Sequence, residues 1–135
     1  MAPGDGDGMD AEALCKSYLN ALDGSDLSAV CSLFTADAVA HSPLYGVRPA
    51  REFYAELFAD TNRSETTLLN VFDSSDSGSA VALHFRYVWT LKSGRAATFE
   101  CVDVFELSED RNQFTKIVII YDTAHLRADF ETSRR

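Results

Sequence analysis

The sequence predicts an α+β domain, with helices in its first half and a mostly antiparallel sheet in its second. Three observations carry this. Apolar residues recur at helical spacing early in the chain, and after residue 64 they fall at every second position. The joints between the later apolar runs are short and polar, which suits hairpins and leaves no room for crossover helices. A chain of 135 residues that is 46% apolar can build one core but not two. Helices first and a meander afterwards is the order of an α+β layer fold.

Residues 1–8, rich in Gly and Asp, read as an N-terminal tail. Their Asp-Gly-Asp-Gly run lacks the later ligands and closing glutamate of a calcium loop. Asp10 can cap a first helix that turns Ala11, Leu14, Cys15, Tyr18 and Leu22 to one side and ends at Asp23-Gly24. Ser25-Asp26 opens a shorter helix with Leu27, Val30, Cys31 and Phe34 on one face. The stretch from Asp37 to Gly46 predicts a short strand and a turn. A third helix starts near Pro49, which suits a first helical turn, and carries Ala50, Phe53, Tyr54 and Leu57 inward. Strands are predicted at 65–73, 79–91, 96–107 and 113–123, punctuated by turns at 74–78, 92–94 and 109–112. The domain is expected to span residues 9–127, with a C-terminal tail at 128–135.

The second hairpin allows a register. If Leu91 meets Arg95 across Lys92-Ser93-Gly94, one face carries Leu83, Phe85, Tyr87 and Trp89 beside Phe99, Cys101, Asp103 and Phe105. The other face sets Arg86 opposite Glu100, an expected ion pair. Asp103 thus lies on an apolar, aromatic face, where a carboxylate is costly unless paired or neutral. That anomaly marks it as a candidate functional group.

Composition narrows the function. A formal net charge of −9 repels nucleic acid and anionic membrane surfaces, so neither is an expected partner. Cys15, Cys31 and Cys101 sit singly inside apolar stretches and read as buried small residues in a reducing compartment. No apolar run approaches the roughly 20 residues of a membrane span, and the N-terminus does not read as a secretion signal. A cytoplasmic location is expected. No two histidines have ligand spacing, and no phosphate loop or nucleophile elbow appears, so neither metal nor cofactor is expected.

Several segments together resemble the ketosteroid-isomerase and SnoaL-like polyketide-cyclase family, which shares the nuclear-transport-factor-like cone. They are Tyr18 on the first helix, Leu-Asp-Gly-Ser-Asp-Leu, Leu-Phe-Thr-Ala-Asp-Ala-Val, Ser-Pro ahead of Gly46, Phe53-Tyr54, Cys101-Val102-Asp103-Val104 and the final Ile-Ile-Tyr121-Asp122. The resemblance covers roughly residues 10–127. It implies a curved sheet closed by three helices into a cone around an apolar pocket, and a homodimer through the outer sheet face.

The isomerase chemistry takes a proton from carbon next to a carbonyl, while two donors in a dry pocket hold the developing oxyanion and a carboxylate shuttles the proton. The resemblance carries the donor roles onto Tyr18 and Asp103, the latter as an acid kept neutral by apolar surroundings. Tyr54 would orient Tyr18, and Phe34 stands where some members have another tyrosine. The position of the shuttling carboxylate is Ser42, which at its usual pKa is no base without a partner. His41 and Asp122 are the candidate substitutes, although strand alternation turns both away from the pocket unless the chain bends. Ser42, Tyr54, Phe34, Phe85, Tyr87, Phe99, Phe105 and Tyr121 are the expected binding residues. The expected function is binding a steroid- or polyketide-like carbonyl compound, with isomerisation, cyclisation or dehydration through an enol-like intermediate. The alternative is a non-catalytic binding or dimeric association module of the same fold.

Overall fold

The computed structural model of the protein describes residues 10–74 and 78–135, so the expected tail at 1–8 and the centre of the 74–78 turn lie outside the described residues. Helix α1 (Ala11–Asp23) is capped by the Asp10 carboxylate, which accepts from the Ala13 amide at 2.7 Å. Its inward stripe is Leu14, Cys15, Tyr18, Leu19 and Leu22. Asp26 caps α2 (Leu27–Ser32) in the same way, accepting from the Ala29 amide at 3.0 Å. Helix α3 (Ala50–Ala59) follows Pro49 and buries Ala50, Phe53, Tyr54 and Leu57, the four positions its spacing indicated.

The strands are β1 (Phe34–Ser42), β2 (Gly46–Pro49), β3 (Thr61–Asp73), β4 (Ala80–Leu91), β5 (Ala96–Leu107) and β6 (Phe114–Ile120). They form one sheet in the order β2-β1-β6-β5-β4-β3, antiparallel throughout except for the parallel β1–β6 pair. Helix α1 lies against β3 and α3 against β1, so both helices cover one face of the sheet.

The hairpin register is the one the sequence indicated. Leu83 faces Asp103, Phe85 faces Cys101 and Arg86 faces Glu100. Leu91 donates to the Arg95 carbonyl at 2.8 Å, and the turn closes through Gly94 at φ +95°, a conformation that favours glycine. Inward positions of β4 and β5 are buried alternately with outward ones, so the period of two reports one wet face.

Three sequence expectations are corrected. Phe34 does not continue α2: the Leu33 carbonyl accepts the Phe114 amide at 2.8 Å, and that parallel pairing draws Phe34 into β1. Glu100 does not pair with Arg86, because its carboxylate reaches diagonally to His84 Nε2 at 2.7 Å. The stretch expected as a C-terminal tail carries α4 (Arg127–Ser133). Phe130 on α4 packs edge-on against Tyr45, at 5.2 Å between ring centroids, and lies 5.9 Å from Trp89. Arg134 ties the segment down to Glu56 at 2.9 Å. A single buried aromatic in so short a stretch leaves no periodic signal, and its partners are about 40 and 85 residues away in sequence.

Candidate active site

Between the covered face of the sheet and helices α1 and α3 lies a narrow cavity that opens to solvent. Its walls are overwhelmingly apolar and aromatic. Phe85, Tyr87 and Trp89 come from alternate positions of β4, Phe99 from β5 and Tyr121 from just beyond β6. Phe99 and Tyr121 stack at 4.7 Å. This is the composition of a small-molecule site: apolar walls and few polar groups.

Most polar groups on the walls are already engaged. The Tyr87 hydroxyl bonds Ser64 Oγ at 2.9 Å, and Trp89 donates to Thr61 Oγ1 at 2.8 Å. The Tyr45 hydroxyl donates to Asp60 at 2.6 Å. Ser42 lines the cavity, but its Oγ accepts the Leu44 and Tyr45 amides at 3.2 and 3.1 Å and thereby shapes the β1–β2 turn.

The remaining polar groups on the walls are Asp103, Cys101, Tyr18 and the Tyr121 hydroxyl. Asp103 is 1% exposed and lines the cavity from β5. Burial pushes its carboxyl up to about 7, opposed in part by the Cys101 thiol and the Tyr18 hydroxyl. Near neutral pH it therefore exists in both protonation states. The Cys101 thiol donates to Asp103 Oδ1 at 3.1 Å. Tyr18 is held at the cavity by α1, and its hydroxyl shares a 2.8 Å hydrogen bond with that of Tyr54. Burial raises both phenols well above the ordinary tyrosine range, so each keeps its proton and remains a donor.

The expected site residues divide by place. Tyr18, Asp103, Ser42, Phe85, Tyr87, Phe99 and Tyr121 meet at the cavity. Tyr54, Phe34 and Phe105 do not line it: they form the packing behind Tyr18, at ring distances of 6.1, 6.5 and 5.1 Å. Neither candidate base reaches it. His41 pairs regularly with Val47 and Val118, so no bend turns it inward, and it faces opposite to Ala40 and Ser42. Asp122 is exposed beyond β6, and its carboxylate accepts the Ala124 amide at 2.9 Å in a tight turn.

The expected site residues did not include Leu22, Tyr45, Phe53, Leu57, Trp89, Cys101 and Ile119, although all seven line the cavity. Helical spacing already turned Phe53 and Leu57 inward, and alternation turned Cys101 inward. Nothing local marks Tyr45, which reaches the cavity through the β1–β2 turn. Among the described residues no cluster of His, Cys, Asp and Glu could hold a metal ion, and no helix is long and apolar enough to cross a membrane.

The profile of the SnoaL-like domain matches residues 15–115. No curated protein matches the sequence. Solved structures share the architecture. A protein of ketosteroid isomerase-like fold from Catenulispora acidiphila, in complex with trimethylamine, is 16% identical with a TM-score of 0.72, over 87% of this chain and 92% of its own. The epoxide hydrolase/cyclase-like enzyme SalBIII, which has a role in pyran ring formation in the polyether salinomycin, is 18% identical with a TM-score of 0.70, over 82% and 89%. TerC, co-crystallised with polyporic acid, is 16% identical with a TM-score of 0.73, over 89% and 97%. At these identities the likeness establishes the cone-shaped α+β fold.

Proposed function

Since this chain belongs to the family of SnoaL-like domains, we propose that it is a cofactor-independent acid–base enzyme acting on a small, largely apolar carbonyl compound. The observation that carries this reading is the Asp103 carboxyl. It is buried on an aromatic wall, its proton affinity is tuned to about 7, and the tyrosine Tyr18 shares the cavity.

The chemistry follows from what each group can do. The Tyr18 hydroxyl meets the Asp103 carboxyl, and with Tyr54 donating to Tyr18 its proton turns from there to the substrate's oxygen. Ionised Asp103 takes the proton from carbon next to the carbonyl, and the electron pair moves to oxygen as an enolate that Tyr18 holds. Asp103, now the neutral acid, returns the proton at a second carbon, or gives it to a departing hydroxyl as water. Isomerisation, cyclisation and dehydration all share this enol-like intermediate. Because His41 and Asp122 lie away from the cavity, Asp103 takes the shuttling role for which the sequence offered them. The aromatic walls suit a flat, steroid- or polyketide-like skeleton.

A specific observation favours a second reading. Ser42 occupies the position of the family's usual shuttling carboxylate and spends its hydroxyl on the turn. In a binding module that has lost the chemistry, neutral Asp103 and Tyr18 would simply fix a ligand's oxygen. Either form of the protein would act in the cytoplasm as a homodimer through the outer sheet face, where Phe72 and Ile120 are 58% and 53% exposed.

A panel of unsaturated and polycyclic ketones, followed by the ultraviolet absorbance of a conjugated enone, tests the catalytic reading. Turnover is expected from the wild type, with a loss of about 100-fold or more in Tyr18→Phe and a near-complete loss in Asp103→Leu. Undiminished turnover in both variants overturns it. Tight retention of a ketone with no turnover selects the binding module.

A further inference from the structure

Asp103 and Cys101 stand two residues apart on β5, so the pleat turns both to the cavity face. Both are buried, and the thiol donates to one carboxylate oxygen, Oδ1, at 3.1 Å. The strand holds the two residues in fixed relation, since the register with β4 and β6 is regular at Asp103, opposite Leu83 and Ile119.

We propose that Cys101 is a positioning residue for Asp103: its thiol occupies Oδ1, so that Oδ2, beside the Tyr18 hydroxyl, is the oxygen presented to a ligand in the cavity. The inference rests on the acid–base reading above, and adds to it which oxygen acts and what selects it. In the neutral acid the thiol proton already fills the Oδ1 lone-pair direction, so the carboxylic proton resides on Oδ2 and points to the substrate. In the carboxylate the same bond holds the group's plane while Oδ2 accepts the proton from carbon. Burial, together with the adjacent Asp103, pushes the Cys101 thiol up, so sulfur stays a donor in both states. The other titratable groups facing Asp103 are Cys15 and Tyr18 from α1, Tyr54 from α3, Tyr87 from β4 and Tyr121 beyond β6. All are neutral acids held above their ordinary range, so none changes charge while Asp103 titrates.

Because a thiol is a weak donor, exchanging it shifts the Asp103 titration in a direction that packing alone does not dictate. Carbon-13 NMR of aspartate-labelled protein reads that titration directly, with the Asp103 signal assigned by its disappearance in Asp103→Asn. Cys101→Ser supplies a stronger donor, favours the carboxylate and lowers the midpoint. Cys101→Ala removes the donor and raises it. The two variants should bracket the wild type and differ by about one pH unit, the worth of one hydrogen bond to a charged group. Cys31→Ser, remote from the carboxyl on α2, should titrate as wild type. Midpoints that coincide in all three proteins, or that fall in the reverse order, overturn the proposal. The measurement needs no substrate: if the order holds while the ketone panel shows no turnover, the acid–base reading fails and the positioning stands.

Discussion

Replacing Asp103 with Asn keeps the shape of the side chain and an oxygen for the Cys101 thiol, and removes the titration. In the folded protein burial raises this carboxyl from its ordinary 3.8 to about 7. Between those values the folded state holds a proton that the unfolded chain has released. The stability tied to this proton is therefore complete below the unfolded value and is lost as pH rises to the folded one. Each pH unit of that separation is worth about 1.4 kcal/mol, so the charged carboxylate costs the fold on the order of 4 kcal/mol above pH 7. About 3 kcal/mol of this develops between pH 5 and pH 8.5. Urea unfolding of wild type and Asp103→Asn at those two pH values measures it, because the chain's other carboxylates are common to both proteins. The wild type should weaken relative to the variant by about that amount as pH rises, with unchanged slopes against denaturant. Parallel pH dependence of the two proteins would refute the reasoning. It would mean that Asp103 stays ionised in the fold at pH 5, and that apolar surroundings do not set its proton affinity.

Two further outcomes follow from the packing. Phe130→Ala removes an aromatic ring that is 4% exposed and covers Tyr45 and Trp89; it should cost about 3–5 kcal/mol in urea unfolding and shift the emission of the single tryptophan to the red. Wild-type stability and emission in that variant would show that α4 does not cap the cavity wall. Of the three thiols, only half-buried Cys31 should react readily with an alkylating reagent at pH 8, since burial pushes Cys15 up to about 12 and Cys101 higher still. Mass spectrometry of the native protein checks this, and labelling of Cys101 as fast as Cys31 would contradict the closed cavity wall.

Much of the fold was legible because its signals are local. Asp10 and Asp26 cap helices through bonds to amides three residues on, so the caps lie within the segments they start. The β4–β5 register follows from a three-residue turn with a glycine and from alternation on both strands, and it placed Asp103 on the apolar face without any structure. What escaped were contacts between distant segments. Phe34 belongs to β1 because the remote Phe114 amide bonds Leu33. Glu100 chose the diagonal His84 over Arg86 through side-chain geometry that register alone does not determine.

The candidate site divides along the same line. Sequence by itself determined that Tyr18 and Asp103 are inward residues of a helix and a strand, because 3.6- and 2-residue periods assign faces. It could also see that Ser42 is no carboxylate. Only the tertiary structure decided that His41 and Asp122 point away, that Phe34 and Phe105 pack behind Tyr18 and do not line the cavity, and that the Cys101 thiol meets Asp103. Faces are properties of a segment's own period. Which faces share one dry cavity, and how far burial there raises a carboxyl's hold on its proton, depends on all the segments that exclude water from it.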